Sequence, residues 1–222
     1  MLSDYVMIGI VLPVQDTKST NKYAVTKGAE PMIGEAAVFA EKAHRGVFRK
    51  GTDIPYITHP METAVIVSAF TEDEEMIAAA LLHDVMEDAG VTREELEAAF
   101  GSRVAWLVMD ESEDKRKTWQ ERKSFTVRHL CTASRDIKIL AMGDKLSNMR
   151  STARDYLVMG DAIWQRFNEK DKRKHAWYYW GIAHALKELN DHVYYQEYIM
   201  LCRNVFGEDI YVPEENYVPE EK

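Results

Sequence analysis

Residues 76–88 read MIAAALLHDVMED, an apolar run that ends in a histidine and three carboxylates. The alanines and leucines have the composition of a helix entering a core. Burying ionisable groups behind them costs several kcal/mol unless they are paired, hydrogen-bonded or bound to an ion. As one helix over 73–87, the stretch stacks His83 beneath Glu87 and Asp84 beneath Asp88, because residues four apart share a face. The two pairs then form neighbouring rows, about 100° apart. An imidazole and a carboxylate side by side suit a divalent metal, while the next pair can handle protons or orient water. One His and one Asp do not make a metal site, and the competing reading is an ordinary exposed helix end.

The rest of the chain places this helix in an all-α body. From Pro31 to about Phe206 helical signals dominate, with helices predicted over 31–45, 60–70, 73–87, 93–99, 102–110, 119–133, 136–150, 160–167, 171–188 and 190–206. Thr92-Arg93-Glu94-Glu95 and Thr118-Trp119-Gln120-Glu121 both match the capping-box pattern ahead of helix-forming runs. Strand signals are confined to 4–14 and 21–26, so a short N-terminal arm over 1–30, with a possible small strand or hairpin, precedes one domain over 31–206. An acidic tail over 207–222 follows, carrying the duplication YVPEE at 211–215 and 217–221. Two such copies are too short for a solenoid, and a disordered or loosely draped end is expected.

Composition narrows the function classes. A chain of 222 residues with 46% hydrophobic and 29% charged residues can bury a substantial core as a soluble globular protein. Of the net charge of −9, residues 208–222 hold −5, which leaves −4 for the rest. That mild balance argues against non-specific nucleic-acid binding and leaves room for a small anionic ligand. Cys131 and Cys202 form no CxxC or zinc-type pattern and fit a reduced, cytoplasmic setting as small core residues. The apolar start, Tyr5 to Val14, lacks a basic flank and a cleavage pattern and is too short to span a bilayer, so no membrane partner is expected.

Further metal ligands are needed if the first pair is to bind an ion. His59 stands just before Pro60, a favoured start for the helix METAVIVSAF, and can project from a loop end toward the core. Asp144 follows the apolar run ILAMG and shares a face with Asn148 and Ser151. His59, His83, Asp84 and Asp144 together offer two nitrogen and two oxygen donors. That set suits one borderline or hard divalent ion such as Mn²⁺, with open positions for water and substrate. Each residue alone reads more simply as a capping or buried hydrogen-bonded group; four in compatible contexts favour a metal.

A basic cluster, AHRGVFRKG at 43–51, leads straight to Pro55 and His59. Cations at a helix end also complement its dipole, but Arg49 and Lys50 so placed can meet a phosphorylated substrate beside the metal. The charged run 110–123 reads as a solvated connection, from which Lys115, Lys117, Arg122 and Lys123 can approach phosphates as a flap. The aromatics Trp164, Phe167, Trp177, Tyr178, Tyr179 and Trp180 recur at helical spacing and read as core.

Four blocks in order, AHRGVFRKGTDIPYITHP, LLHDVMEDAGVT, FGSRVAWLV and MGDKLSNMRS, resemble the HD-superfamily hydrolase domain of RelA/SpoT-type proteins, especially the single-domain small alarmone hydrolases. They fall within residues 40 to 152. The resemblance implies an all-α, Mn²⁺-dependent enzyme that removes pyrophosphate from the 3′ position of (p)ppGpp. It implies His59, His83, Asp84 and Asp144 as metal ligands and Glu87 and Asp88 as the acidic pair acting on the attacking water. Arg49, Lys50, Asn148 and Ser151 fall at substrate-contacting positions. Gly143 stands where the pattern has alanine and Ser147 where it has histidine, both expected near the substrate. Two alternatives share these residues: an HD phosphohydrolase for another nucleotide, such as an adenosine alarmone or a nucleoside phosphate, and an alarmone-binding module without turnover.

Overall fold

Residues 32–112 and 116–211 are described by the computed structural model. The predicted arm, its strand signals, Lys115 and the tail beyond Tyr211 lie outside them. Among the described residues the helices run α1 (Met32–Ala43), α2 (Thr58–Ser68), α3 (Glu74–Leu82), α4 (Val85–Ala89) and α5 (Arg93–Phe100). They continue with α6 (Ser102–Glu111), α7 (Trp119–Thr132), α8 (Arg135–Met159), α9 (Lys172–Ala185) and α10 (Val193–Phe206). Short 3-10 turns at Gly160–Arg166 and Lys187–Leu189 join the last three. No sheet occurs among the described residues; backbone pairing of that kind is limited to one bridge between Phe48 and Pro55. No described helix is long and apolar enough to cross a membrane.

Local chemistry sets the helix starts. Thr92 and Thr118 each close a full capping box, accepting from the amide of Glu95 or Glu121, whose carboxylate accepts from the threonine amide in return. Asp73 caps α3 by accepting from the Glu75 amide at 3.0 Å. Arg103 then ties three elements together, bonding Asp73 and Glu75 at 2.7 Å each and Asp136 of α8 at 3.1 Å.

One expectation is corrected at the stretch that opened the sequence reading. The chain does not run through it as one helix: α3 stops at Leu82 and α4 begins at Val85. His83 turns its ring back so that Nδ1 donates to the Ala80 carbonyl at 2.8 Å. Asp84 sits at φ −95°, ψ −6°, a bridge conformation common for active-site residues. α8 also runs nine residues past the predicted 150, ending at Gly160 with φ +54°. Cys202 is buried as expected, but Cys131 is exposed, because its face of α7 points to solvent.

The core is built around α8, in which every residue from Ile137 to Ser147 is buried. A helix buried all round belongs at the centre of a fold. α3 packs on both α1 and α2, α2 lies against α8, and the Ala-rich α3 is buried from Ala78 to Leu82. Gly143 makes the α2–α8 approach possible. A Cβ there would lie 2.8 Å from Val67 Cγ2 and 3.0 Å from the Thr63 carbonyl oxygen. Gly143→Ala therefore sets an overpacking cost of ~1–3 kcal/mol against a helix-propensity gain of ~1 kcal/mol. Because a backbone carbonyl is one of the atoms that must move, the cost wins. A net loss of about 1–2 kcal/mol, a fall in Tm of roughly 4 °C, is expected in thermal unfolding; a rise would mean the helices can separate freely.

Candidate active site

α2 carries His59, the α3–α4 junction carries His83 and Asp84, and α8 carries Asp144, so the packing of these elements brings together residues far apart in sequence. His59 Nε2 lies 3.2 Å from His83 Nε2 and 3.2 Å from Asp144 Oδ1. Asp84 Oδ2 stands 3.0 Å from His83 Nε2 and 3.4 Å from His59 Nε2. His59, His83 and Asp144 satisfy the spacing of a metal cluster, each offering an atom within 4.8 Å of the others, and all three are buried.

The outer partners show which atoms are free to bind. His83 Nδ1 donates to Ala80 O, so its Nε2 faces the cluster. Ser147 donates its hydroxyl proton to Glu62 Oε2 at 2.8 Å, so its Oγ accepts from His59 Nδ1, also at 2.8 Å. His59 Nε2 therefore presents a lone pair to the cluster. Burial alone would lower the His83 pKa, but Asp84 and Asp144 override it and lift it to about 9. Burial would raise Asp84 and Asp144, yet the charged His83 imidazole holds Asp84 far below the usual carboxylate range, and Lys145, with His83 behind it, does the same for Asp144. In the metal-free chain the proton on His83 Nε2 thus faces Asp84 at 3.0 Å, with His59 Nε2 at 3.2 Å and Asp144 Oδ1 farther off at 3.8 Å. A divalent cation can replace that proton and satisfy the same atoms, so the donor set fits a metal.

Around the cluster lies a cavity of about 350 Å³. Glu87, Asp88 and Asn148 line it, as do Lys145, Thr152, Arg122 and Lys123. Asn148 Nδ2 donates to Asp144 Oδ1 at 2.5 Å and its Oδ1 accepts from Arg49 at 2.8 Å, placing the guanidinium beside the cluster. The Arg49 loop is held by its amide bonding Ile54 O and by the Tyr56 amide bonding Val47 O, at 2.8 and 2.9 Å. Gly51 turns that loop at φ +70°, where a Cβ would strike Arg166 Cδ at 2.8 Å. Lys50 is exposed, bonding Asn168 at 3.1 Å above the ring of Phe167. Ser151 accepts from Arg154, and its neighbour Thr152 lines the cavity in its place. Gly143 faces Thr63 and Val67, and Ser147 faces His59, so neither substituted position lines the cavity.

Several residues here had no role in the sequence reading. Tyr56 donates to Asp84 Oδ2 at 2.7 Å, and burial together with Asp84 drives its pKa far up. His44 packs on the Tyr56 ring at 4.8 Å, its own pKa lowered by burial. Trp119, Trp164, Phe167, His175, Tyr178 and Tyr179 form an aromatic wall of the cavity, with Trp164 stacked on His175 at 4.9 Å. Their helical spacing marks core, and these side chains serve both as core and as wall. Lys117 lies instead beside Phe125 at a separate surface depression.

Glu111 is the least expected member, because the charged run containing it reads as solvated. Burial pushes its carboxyl up to about 7, with Lys145 opposing and Asp144 reinforcing the shift. Between about 4.5 and 7 the folded protein keeps a proton that the unfolded chain has released, so stability falls as pH rises through that window. Glu111→Gln removes this penalty. In metal-free protein the variant is expected to match the wild type at pH 4 and to exceed it by about 3 kcal/mol at pH 8 in urea unfolding. A constant difference across pH would exclude Glu111 as the cause.

Residues 36–169 match the HD domain family. The chain is 41% identical over 123 residues to the guanosine-3′,5′-bis(diphosphate) 3′-pyrophosphohydrolase MESH1 of Danio rerio, a match that covers 54% of this chain and 68% of that protein. The Homo sapiens counterpart is 39% identical over 123 residues, covering 54% and 69%. Among solved structures, a metazoan ortholog of SpoT that hydrolyses ppGpp aligns with a TM-score of 0.65 at 26% identity, over 80% of this chain and 97% of that one. A Listeria monocytogenes EGD-e protein aligns at 0.63 and 30% identity, over 68% and 99%.

Proposed function

The chain belongs to the HD domain family, and from that membership we propose that it hydrolyses guanosine alarmones, removing the 3′-pyrophosphate of ppGpp or pppGpp to leave GDP or GTP. The observation that carries this reading is the convergence of His59, His83, Asp84 and Asp144 in a cavity shared with Glu87, Asp88 and three cationic side chains. The named activity of the MESH1 relatives supports it.

His59, His83, Asp84 and Asp144 would hold one divalent ion, and their mixed nitrogen and oxygen donors suit Mn²⁺. When bound, such an ion supplies a Lewis acid that polarises a phosphoryl oxygen and acidifies water. Glu87 and Asp88 orient the attacking water and take its proton. Attack falls on the phosphorus bonded to the ribose 3′ oxygen; that P–O bond breaks, and the 3′ oxygen leaves with a proton as the hydroxyl of GDP or GTP. Arg49, steadied by Asn148, and Lys50 at the rim meet the nucleotide phosphates, with the Ser151 hydroxyl, which lies just outside the cavity wall, as an outer contact. Lys145, Arg122 and Lys123 bring positive charge to the cavity that takes the departing pyrophosphate. Tyr56 keeps the Asp84 carboxylate aimed at the cluster.

The test is turnover of ppGpp, ppApp and nucleoside monophosphates by purified protein with Mn²⁺, with products identified by position of cleavage. GDP and pyrophosphate from ppGpp are expected. No cleavage of any 3′-pyrophosphorylated nucleotide would sink the reading, and faster release from ppApp would reassign the base.

A further inference from the structure

A chain of polar contacts leaves the metal cluster by the back of His59 and crosses three helices. His59 Nδ1 donates to Ser147 Oγ at 2.8 Å, and Ser147 donates to Glu62 Oε2 at 2.8 Å. Glu62 Oε1 accepts from Arg150 Nη1 at 3.0 Å, and Arg150 forks onto both carboxylate oxygens of Glu197 on α10 at 2.6 and 2.7 Å. The Arg150 guanidinium also lies 5.2 Å above the Tyr194 ring. We infer that Ser147 and Glu62 are positioning residues that lock His59 in the tautomer able to bind a metal, with Arg150 and Glu197 fixing Glu62 in turn.

The logic follows from proton counting. A serine hydroxyl has one proton and can either donate to a ring nitrogen or accept from it. With its proton committed to the Glu62 carboxylate, Ser147 can only accept at the ring, which places the His59 proton on Nδ1 and the lone pair on Nε2. Ser147 is 1% exposed and His59 3%, so water cannot easily stand in for the missing partner. Without Glu62 the serine proton is free to turn toward Nδ1, and His59 then carries its own proton on Nε2, pointing at the cluster where a cation belongs. Outer partners of metal-bound histidines act in this manner, and their loss typically weakens metal binding ~10–100-fold. Glu197 lies beyond residues 36–169, so α10 contributes to the site from outside the matched family span.

The inference rests on the metal reading of the cluster, and two measurements separate the failure of one from that of the other. The first is the His59 tautomer in metal-free protein, read from ring nitrogen shifts by NMR: Nδ1–H is expected in the wild type, and a gain of Nε2–H in Ser147→Ala and Glu62→Ala. The second is Mn²⁺ affinity by calorimetry, expected to fall ~10–100-fold in each variant. The double variant should be no worse than the worse single, because the two residues act as one unit. Ser147→Thr, which keeps the hydroxyl, should restore both signals, and Ser147→Cys replaces the alanine variant if that does not fold. Unchanged tautomer in the variants, or losses that simply add, overturns the relay. Absence of Mn²⁺ binding in the wild type overturns the metal reading alone, since the tautomer measurement still decides the relay.

Discussion

Asp144→Asn is expected to abolish detectable Mn²⁺ binding and to lower kcat/KM for ppGpp by at least ~10³-fold, about 4 kcal/mol of transition-state stabilisation. Asp144 brings the negative charge of α8 to the cluster, with Oδ1 3.2 Å from His59 Nε2 and 3.8 Å from His83 Nε2. Its other oxygen is bonded by Lys145, which is 9% exposed. The asparagine removes one charge from the donor set and takes a carboxylate away from the Lys145 ammonium, next to the place a cation must occupy. Both effects oppose metal uptake, and weakening the pairing of a buried lysine also destabilises the fold. Calorimetry with Mn²⁺ and steady-state turnover check the result; wild-type Mn²⁺ affinity in Asp144→Asn would rule out this cluster as the metal site.

The second large effect separates metal binding from proton handling. Glu87→Gln and Asp88→Asn should each lower kcat ~10²–10⁴-fold while leaving Mn²⁺ affinity within a few-fold of the wild type. Both residues line the cavity on the short α4, one turn past the cluster, and Asp88 is exposed and can pass a proton to solvent. If the two act on one water, the double variant should lose little more than the worse single. A double variant that keeps kcat within tenfold would show that the proton leaves by another route.

The elements most legible in the sequence were those set by local chemistry. Both capping boxes, the apolar α3 and most helix spans follow from residues within one or two turns of each other. The resemblance and the donor types also pointed to His59, His83, Asp84 and Asp144, which the fold brings together. What escaped the sequence depends on tertiary approach. Tyr56 matters because its hydroxyl meets Asp84 from another element, and Glu111 because its helix end is folded against Lys145. The break at His83–Asp84 hides in a run of good helix formers, since nothing local forbids the helix from continuing. Gly143 and Ser147 lie within the resembling block, but only the packing shows that one fits α2 and the other orients His59.

The route by which α8 reaches the site also bears on how the molecule assembles. His59 and His83 meet across 24 residues of chain, whereas Ser147 reaches His59 across 88. Closing the longer loop costs about 1 kcal/mol more in chain entropy, so the histidine pair can form early and wait for α8. An ion that needs Asp144 as well binds only the finished fold, and at a hundred times its dissociation constant stabilises it over the unfolded chain by about 2.7 kcal/mol. Metal supply would then govern how long the folded chain lasts as well as how fast it turns over.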